Sequence, residues 1–323
     1  MATPWVNRSS VYSIFRWSGE VEISKPWFWT QRNSVGPART HLSFGFLRDS
    51  VAPWCKGFAF GLMLESLPTM NDSSETAIEF AGVDYRIGGR ALIADLNLSV
   101  RRGETLMLLG RSGSGKTTTL KLINRLLDPG RGTVLVDGRS TTEWDAIRLR
   151  RHIGYAIQEG GLFPHYTVAE NVALVPRLEH WEAARIAARV REVLQLVGLP
   201  YAEFSGRYPD QLSGGQRQRC GLARALAADP PILLMDEPFG ALDPITRAEV
   251  QQEFIQLKKA LSKTVVFVTH DVGEALLLGD RIALLDSGML KGIFTASEFL
   301  QSADAAVQPF RDAFLATQRN FRI

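Results

Sequence analysis

Two short stretches of the chain, from Ala77 to Tyr85 and from Leu92 to Val100, have the mixed apolar and polar pattern of β-strands. Toward the end of the second stretch, every other residue is apolar, which is typical of a strand with one buried face. The pair Gly88 and Gly89 separates the stretches and favours a tight turn. The pattern therefore predicts a β-hairpin.

Four other runs are almost entirely apolar and have the length of strands that are buried on both faces. They are Thr105 to Leu109, Ile153 to Ile157, Ile232 to Met235 and Thr264 to Thr269. Between residues 158 and 213 the period becomes helical, with apolar residues on one face from Ile186 to Val197. We therefore predict an α/β fold with buried strands, a hairpin region and a helical lobe.

The first buried run leads into the sequence Gly-Arg-Ser-Gly-Ser-Gly-Lys-Thr, which matches the pattern G-x-x-x-x-G-K-[ST] in full. Helical spacing follows, so the motif has the strand, loop and helix context that it requires. In such a loop, glycines let backbone N–H groups surround a polyphosphate at a helix N-terminus. The predicted ATP-binding residues of this phosphate loop are Gly110, Arg111, Ser112, Gly113, Ser114, Gly115, Lys116, Thr117 and Thr118.

Three side chains of the phosphate loop have separate expected roles. Lys116 supplies a positive charge for the β- and γ-phosphates, and the Thr117 hydroxyl coordinates Mg²⁺. Thr118 is close enough in sequence to reach the α-phosphate. The chain is therefore expected to use ATP and Mg²⁺.

A pair of acids, Asp236 and Glu237, follows the third buried run. Parallel sheets bind their ligands at the carboxyl ends of the strands, where these two carboxylates would emerge. We expect Asp236 to hold Mg²⁺ through water and Glu237 to act as the general base toward the attacking water.

A glycine-rich segment precedes another helical pattern and resembles the signature motif of ABC ATPases. Its candidate phosphate-binding residues are Ser213, Gly214, Gly215 and Gln216. The motif provides a second helix N-terminus for an anion. One nucleotide cannot touch both ends of the same subunit if they lie on separate lobes, so the resemblance implies a head-to-tail homodimer, or a pair of ABC subunits, that encloses two ATP molecules.

Four further residues match the same family in order along the chain, and the resemblance implies their roles. Tyr85 is similar to the aromatic residue that stacks on adenine, although a strand aromatic is the alternative. Gln158 resembles the glutamine that contacts Mg²⁺ and relays the nucleotide state to a membrane partner. Asp243, in Ala241-Leu-Asp243, is expected to cross the dimer interface, and His270 to contact the γ-phosphate. Glu237, His270 and Gln158 are thus the predicted catalytic residues.

The resemblance covers about residues 77 to 295 and implies a P-loop NTPase fold. The expected architecture is an ABC nucleotide-binding domain with an antiparallel β subdomain and a helical subdomain. We assign the domain to residues 76–310, with the helical subdomain at about 159–228. An irregular or disordered extension is expected at 1–75 and a short tail at 311–323.

Composition excludes several classes of protein. The 323 residues are 45% hydrophobic and 22% charged, which excludes disorder along the whole chain. A formal charge of +3, from 37 basic and 34 acidic residues, is too balanced for nucleic-acid binding as the main function. The two cysteines cannot build a disulfide framework or a multi-thiolate zinc site, which favours a cytosolic protein.

Residues 1–70 differ from the rest of the chain. They contain seven Lys or Arg against four acidic residues, and five of the seven tryptophans without strand or helix period. Their longest uncharged apolar run, Gly57 to Leu64, is far below the ~20 residues that a membrane span needs. Two interpretations stay open: an irregular extension with Met70 as the true start, or a peripheral anchor built from Trp and Arg.

Lengths within the domain favour a transporter subunit. The 95 residues between Thr117 and Ser213 leave no room for the long coiled coil of ABC-type chromosome and repair ATPases. Ribosome-associated ABC proteins carry two cassettes, and this sequence has one phosphate loop. The expected protein is an ATPase that depends on integral-membrane permease subunits, and indirectly on a substrate-binding protein, at the cytoplasmic face of the membrane. A soluble ABC ATPase without a permease is the alternative.

The loop after Gln158 is the expected permease contact. Leu162, Phe163 and Tyr166 are expected to be exposed together, and in ABC importers the matching region receives a short permease helix. The alternative is that Phe163 packs under the helical lobe.

Several segments are similar to the bacterial importers of glycine betaine, choline or carnitine. They are Leu122–Leu126, Gly161–His165, Asn171–Pro176, Ala227–Pro238 and Phe239–Arg247. Many of those subunits carry paired CBS domains at the C-terminus, whereas about thirty residues follow Lys291 here, so regulation through CBS domains is not carried over. Importers of methionine, nitrate or taurine, or polar amino acids are the alternative within the class.

Overall fold

The computed structural model describes residues 75–157, 161–240 and 242–320. The strands in these ranges are β1 (Thr76–Ile87), β2 (Arg90–Arg101), β3 (Thr105–Leu109), β4 (Arg131–Val136), β5 (Arg139–Ser140), β6 (Ile153–Ala156), β7 (Ile232–Asp236), β8 (Thr264–Thr269), β9 (Arg281–Asp286) and β10 (Met289–Phe294). The helices are α1 (Lys116–Ile123), α2 (Ala146–His152), α3 (Val168–Leu178), α4 (Ala183–Leu196), α5 (Tyr201–Phe204), α6 (Gly214–Leu226), α7 (Pro244–Leu261), α8 (Val272–Leu278), α9 (Ala296–Gln301) and α10 (Gln308–Asn320).

The first sheet is antiparallel, with the strand order β2-β1-β4-β5. The predicted hairpin of β1 and β2 is confirmed and forms one side of this sheet, with β2 as an edge strand. Gly88 and Gly89 lie in the turn with φ values of 55° and 82°, in the left-handed region that glycine tolerates best.

The second sheet contains the four buried runs, in the order β10-β9-β3-β8-β7-β6. Neighbouring strands are parallel except for the edge strand β10, which is antiparallel to β9. The parallel arrangement brings the carboxyl ends of β3, β6, β7 and β8 to one edge. The segments that follow these strands therefore meet there.

Side chains of the second sheet point alternately to two separate cores. On β3, Met107 and Leu109 pack in the core that contains α6, α7 and α8. Leu106 and Leu108 point to the opposite face, where the core contains α1 and the antiparallel sheet. Helices α1 and α6 thus lie on opposite faces of one sheet.

Helices α3 to α6 lie within the helical subdomain predicted at about 159–228. At the other end of the domain, the boundary predicted at residue 310 needs correction because it falls inside α10. Phe310 and Phe314 of this helix pack against the core of α6 to α8. Apolar burial therefore joins residues 311–320 to the folded domain. The predicted extension at 1–75 lies outside the described residues, apart from Glu75.

Candidate nucleotide-binding site

The phosphate loop connects the buried end of β3 to the first turn of α1. Gly113 and Gly115 have φ values of 76° and 103°, which suit glycine and turn the backbone sharply. A Cβ on Gly115 would lie 2.8 Å from the backbone carbonyl oxygen of Leu92, so the loop also needs glycine for space. Arg111, Ser112 and Gly113 are exposed, which leaves the outer side of the loop open to solvent.

The N-terminus of α1 has no side-chain cap in the described part of the chain. Its N-cap residue is Gly115, which has no side chain, and its first turn contains no acidic residue. The buried Ser114 Oγ has no hydrogen-bond partner among the described residues. Unpaired N–H groups at a helix N-terminus attract anions, and both Thr117 and Thr118 in this turn are partly exposed.

The Lys116 side chain lies inside the phosphate loop. Its side-chain Nζ donates hydrogen bonds to the carbonyl oxygens of Gly110 at 2.7 Å and Arg111 at 2.9 Å. The residue is only 5% exposed. Burial lowers the pKa of Lys116, while the carboxylates of Glu237 and Asp236 oppose that shift. The ammonium group is thus held beside the loop, between neutral carbonyls and nearby acids.

Thr117 and Asp236 lie together, although they are far apart in sequence. The Thr117 hydroxyl donates to Asp236 Oδ1 at 3.0 Å, and the Tyr155 hydroxyl lies 3.4 Å from Asp236 Oδ2. Burial raises the pKa of Asp236, and the hydrogen bond from Thr117 opposes the rise. Burial also raises the pKa of Tyr155, so its hydroxyl stays protonated and can donate.

Glu237 and His270 follow neighbouring strands, β7 and β8, and meet at the sheet edge. His270 Nδ1 lies 3.2 Å from Glu237 Oε2. Glu237 has a φ of 44°, which is uncommon for a residue with a side chain, and its N–H donates to the Val268 carbonyl at 3.1 Å. The His270 side chain is 62% exposed and that of Glu237 is 25% exposed. The carboxylate therefore sits in a recess that the imidazole partly covers.

The N-terminus of α6 is capped within the chain. Ser213 Oγ accepts a hydrogen bond from the Gln216 N–H at 3.2 Å, and Gln216 Oε1 accepts one from the Ser213 N–H at 2.9 Å. Ser213 is exposed, Gly214 and Gln216 are partly exposed, and Gly215 is buried. Because α6 lies on the opposite face of the sheet from α1, the structure does not bring this motif together with the phosphate loop of the same chain.

Asp243 caps α7 by accepting hydrogen bonds from the N–H groups of Ile245 and Thr246, both at 3.1 Å. The hydrogen bonds with Thr246 lower the pKa of Asp243, which therefore keeps its charge. Tyr85 lies on β1, partly buried against the core of the antiparallel sheet. Gln158 lies outside the described residues.

Sequence reasoning misses three polar residues near this edge. Tyr155 contacts Asp236 because β6 is the neighbour of β7, and strand order has no local signal in the sequence. Glu274 is buried and accepts a hydrogen bond from Thr269 at 2.6 Å, and Arg247 is the third. Both lie in helices where a charged residue gives no sign of which neighbouring element it faces.

The residues at this edge fit a polyphosphate with a divalent cation. The uncapped α1 and the orphaned Ser114 hydroxyl offer donors to an anion. Thr117 and Asp236 offer adjacent oxygen atoms, the ligand type that Mg²⁺ prefers. Within the described ranges, no group of three or more His, Cys, Asp or Glu side chains could hold a metal by itself. A bound Mg²⁺ would thus take further ligands from phosphate and water.

Comparison with known proteins agrees with this geometry. The family model described as ABC transporter matches residues 93–240. The choline transport ATP-binding protein OpuBA of Bacillus subtilis is 50% identical over 224 residues, which are 69% of this chain and 58% of that protein. The glycine betaine uptake system ATP-binding protein YehX of Escherichia coli is 51% identical over 211 residues, 65% of this chain and 68% of that protein.

A solved structure has the same fold. The ATP-binding cassette MJ0796, in a dimeric post-hydrolysis state with ADP and Pi, is 35% identical with a TM-score of 0.62, covering 68% of this chain and 98% of that one. The chain spans a little over half the length of the first curated relatives that it matches. The identity of 51% to YehX extends over 68% of that protein. The chain therefore belongs to the family of ABC transporter ATP-binding proteins.

Proposed function

We propose that this chain is the ATP-hydrolysing subunit of an ABC importer for quaternary-amine osmoprotectants such as glycine betaine, choline or carnitine. The observation that carries the hydrolytic part is the meeting of Lys116, Glu237 and His270 beside one loop. The transport functions named for relatives at about 50% identity support the solute class.

The residues around the phosphate loop bind and orient the nucleotide. The α1 N–H groups and Lys116 would hold the phosphates, and Thr117 and Asp236 would hold Mg²⁺. The cation, when bound, neutralises charge on the phosphates and on the leaving group. Tyr155 keeps the Asp236 carboxylate in place through its hydroxyl. Tyr85 stacks on the adenine.

Hydrolysis needs a base beside the γ-phosphate. Glu237 accepts a proton from the attacking water, and its recessed position limits the directions from which water can approach. His270 lies against the same carboxylate and contacts the γ-phosphate. Gln158 completes the predicted catalytic set.

Two copies of the chain are needed for a complete site. Ser213 and Gly215 bind the nucleotide held by the phosphate loop of a second copy, because α6 and α1 of one chain lie on opposite sheet faces. Asp243 lies at the same dimer interface. A hydroxyl can accept and donate at once, so the Ser213 Oγ cap leaves its proton free for a phosphate of the partner.

The loop at residues 161–166 is the proposed contact with a permease. Phe163 is 41% exposed, and its ring centroid lies 5.7 Å from that of Tyr166. The buried Asn171 holds the loop by bonding both the N–H and the carbonyl of Phe163. Leu162 and Tyr166, also expected to be exposed, are only partly exposed, and Leu162 packs against the helical core. Phe163 therefore provides the exposed ring of this loop.

No helix in the described ranges is long and apolar enough to cross a membrane. In the proposed function, the chain is bound to integral-membrane permease subunits at the cytoplasmic face. A substrate-binding protein would deliver the solute to that permease. The proposed function includes no nucleic-acid partner.

Uptake of labelled choline and glycine betaine by cells with the complete transporter tests the proposal. Replacing the native copy with Glu237→Gln should abolish uptake, and the unsubstituted chain should restore it. Unlabelled methionine, taurine and polar amino acids serve as competitors. If one of these competitors inhibited uptake as strongly as unlabelled choline does, the proposed solute class would be contradicted. If ATP turnover in cells did not require a permease, a soluble ATPase would be favoured.

A further inference from the structure

Helix α7 begins at one functional loop and contacts another. Its N-cap is Asp243, the residue proposed to reach the partner subunit. One turn later, Arg247 Nη2 donates to the Leu242 carbonyl at 3.2 Å. The guanidinium group therefore fixes the backbone immediately before Asp243.

The same guanidinium group faces the loop that carries His270. Arg247 Nη1 lies 4.0 Å from Asp271 Oδ2, and Asp271 caps α8 directly after His270. Asp271 Oδ1 accepts hydrogen bonds from the N–H groups of Gly273 at 2.7 Å and Glu274 at 3.3 Å, which fixes the loop on α8. One side chain thus spans both loops.

A second residue of α7 supports this link. Gln251, one turn after Arg247, donates to Glu274 Oε1 at 3.1 Å. Glu274 Oε2 accepts from the Thr269 hydroxyl at 2.6 Å, and Thr269 immediately precedes His270. Glu274 is 7% exposed, so this chain of hydrogen bonds is shielded from water.

A small cavity joins these groups to the catalytic pair. Its lining includes Glu237, Arg247, His270, Asp271 and Glu274. Arg247 Nε is buried without a partner in the described part of the chain, so the guanidinium group keeps an unused donor beside this cavity. A shift of the Asp243 loop would therefore move a charged group next to His270.

We propose that Arg247 is a positioning residue that couples the dimer-interface loop of Asp243 to the catalytic loop of His270. This inference rests on the proposed ATPase function. When the partner subunit engages Asp243, the start of α7 and the Arg247 fork hold His270 against Glu237. Hydrolysis at one site thereby depends on the state of the interface.

The connection between the Asp243 and His270 loops requires the planar guanidinium group of Arg247. Its Nη2 donates to the Leu242 carbonyl, while its Nη1 lies 4.0 Å from the Asp271 carboxylate. A lysine at this position keeps the charge but presents it at one point. Arg247→Lys should therefore preserve folding while losing most of the coupling.

A mutant cycle on ATP turnover by the purified full-length chain tests the proposal. kcat is measured for Asp243→Asn, His270→Gln and the double variant, first with Arg247 and then with Arg247→Met. With Arg247 present, the fold-change in kcat of the double variant should differ from the product of the two single-variant fold-changes by about threefold or more. With Arg247→Met, the two effects should multiply independently.

Lys258→Met is the matched control. Lys258 also lies on α7 and bonds the far end of α8, through Leu278 O at 3.0 Å and Asp280 Oδ1 at 2.8 Å. Removing this contact should leave the coupling between Asp243 and His270 unchanged. Equal loss of coupling in Lys258→Met and Arg247→Met would assign the effect to general α7–α8 packing and overturn the proposal.

Two further outcomes separate this inference from the proposed function. Coupling that persists in Arg247→Met, or is missing when Arg247 is present, overturns the role of Arg247 and leaves the ATPase function intact. A chain that hydrolyses no ATP contradicts the proposed function itself. If Arg247→Met does not fold, Arg247→Lys replaces it in the cycle, with loss of coupling again the expected result.

Discussion

Helices α1 and α6 both begin with a sequence that we propose binds phosphate, yet their N-termini are built differently. At α1 the preceding residue is Gly115 with a φ of 103°, no side chain caps the first turn, and Lys116 is buried beside it. At α6 Ser213 and Gln216 satisfy each other in a capping box, and the nearby side chains are more exposed. Among the described residues, the α1 end has no side-chain cap, and the α6 end has one.

This difference indicates that the two helix ends have different roles in nucleotide binding. Unpaired donors and a buried ammonium group at α1 gain the most from a ligand that arrives from solution. The capped α6 end offers one hydroxyl proton and a helix dipole, which suit a nucleotide already held by another surface. We therefore expect changes at α1 to act on binding by each single chain, and changes at α6 to act in the dimer.

Glu237→Gln should give the largest change because it removes the general base and leaves both helix ends intact. Turnover should fall by ~10²- to 10⁴-fold while ATP affinity stays near that of the unsubstituted chain. With hydrolysis blocked, the ATP-bound dimer should persist. Phosphate release, nucleotide binding by fluorescence and sedimentation provide the three measurements.

Asp286→Asn is a suitable control for that experiment. Asp286 ends β9 at the same side of the sheet as Glu237 but has no proposed part in proton transfer. It should retain most of the turnover. Near-normal turnover in Glu237→Gln would remove Glu237 from the role of base.

Mixing two inactive variants should separate the α1 and α6 ends directly. Lys116→Ala disables the phosphate loop, and Ser213→Arg blocks the α6 end with a bulky side chain. A mixed dimer contains one site with both elements intact. Equal mixing should restore about a quarter of the original turnover, because about half of the dimers are mixed and one of their two sites is complete.

The concentration dependence of turnover checks the same point without substitutions. ATP hydrolysis per chain should rise with protein concentration as dimers form. Turnover that is independent of concentration, together with no recovery in the mixture, would contradict a site shared between chains. It would also mean that α6 contributes nothing beyond its own cap.

Much of the site could be predicted from sequence because its motifs follow buried strands. The phosphate loop, the Asp236–Glu237 pair and His270 each end an apolar run, and parallel strands bring such ends together. Contacts that depend on strand order or on helix rotation could not be predicted. Tyr155 reaches Asp236 across β6 and β7, and Leu162 turns toward the core although its neighbour Phe163 does not.

Phe163→Ala should affect transport more than ATP hydrolysis. The side chain is exposed, and Asn171 holds the backbone at residue 163 independently of the ring, so the fold should be retained. Arg224 would lose a cation–π contact at 5.8 Å but keep its hydrogen bond to the Gly161 carbonyl. We expect several-fold lower uptake in cells at unchanged basal ATPase activity, since hot-spot aromatic residues dominate many interfaces.

Ile147→Ala, which truncates a 57% exposed residue on α2, serves as the control for loss of surface apolar area. It should change neither uptake nor hydrolysis. Equal losses of both activities in Phe163→Ala would mean that the ring supports the helical lobe. That result would return Phe163 to a structural role.

The smallest expected effect is on the free energy of unfolding, through the hydrogen bonds that cap α6. Ser213→Ala removes the hydroxyl that accepts from the Gln216 N–H, which should lower the free energy of unfolding by about 0.5–2 kcal/mol in urea denaturation. Ser213→Asp can still accept that hydrogen bond and should remain close to the original stability, while its charge repels a phosphate. Both variants should bind ATP normally as single chains and hydrolyse it slowly. If Ser213→Asp were as active as the unsubstituted chain, capping would be the whole role of Ser213, and the contrast between α1 and α6 would be a matter of helix stability alone.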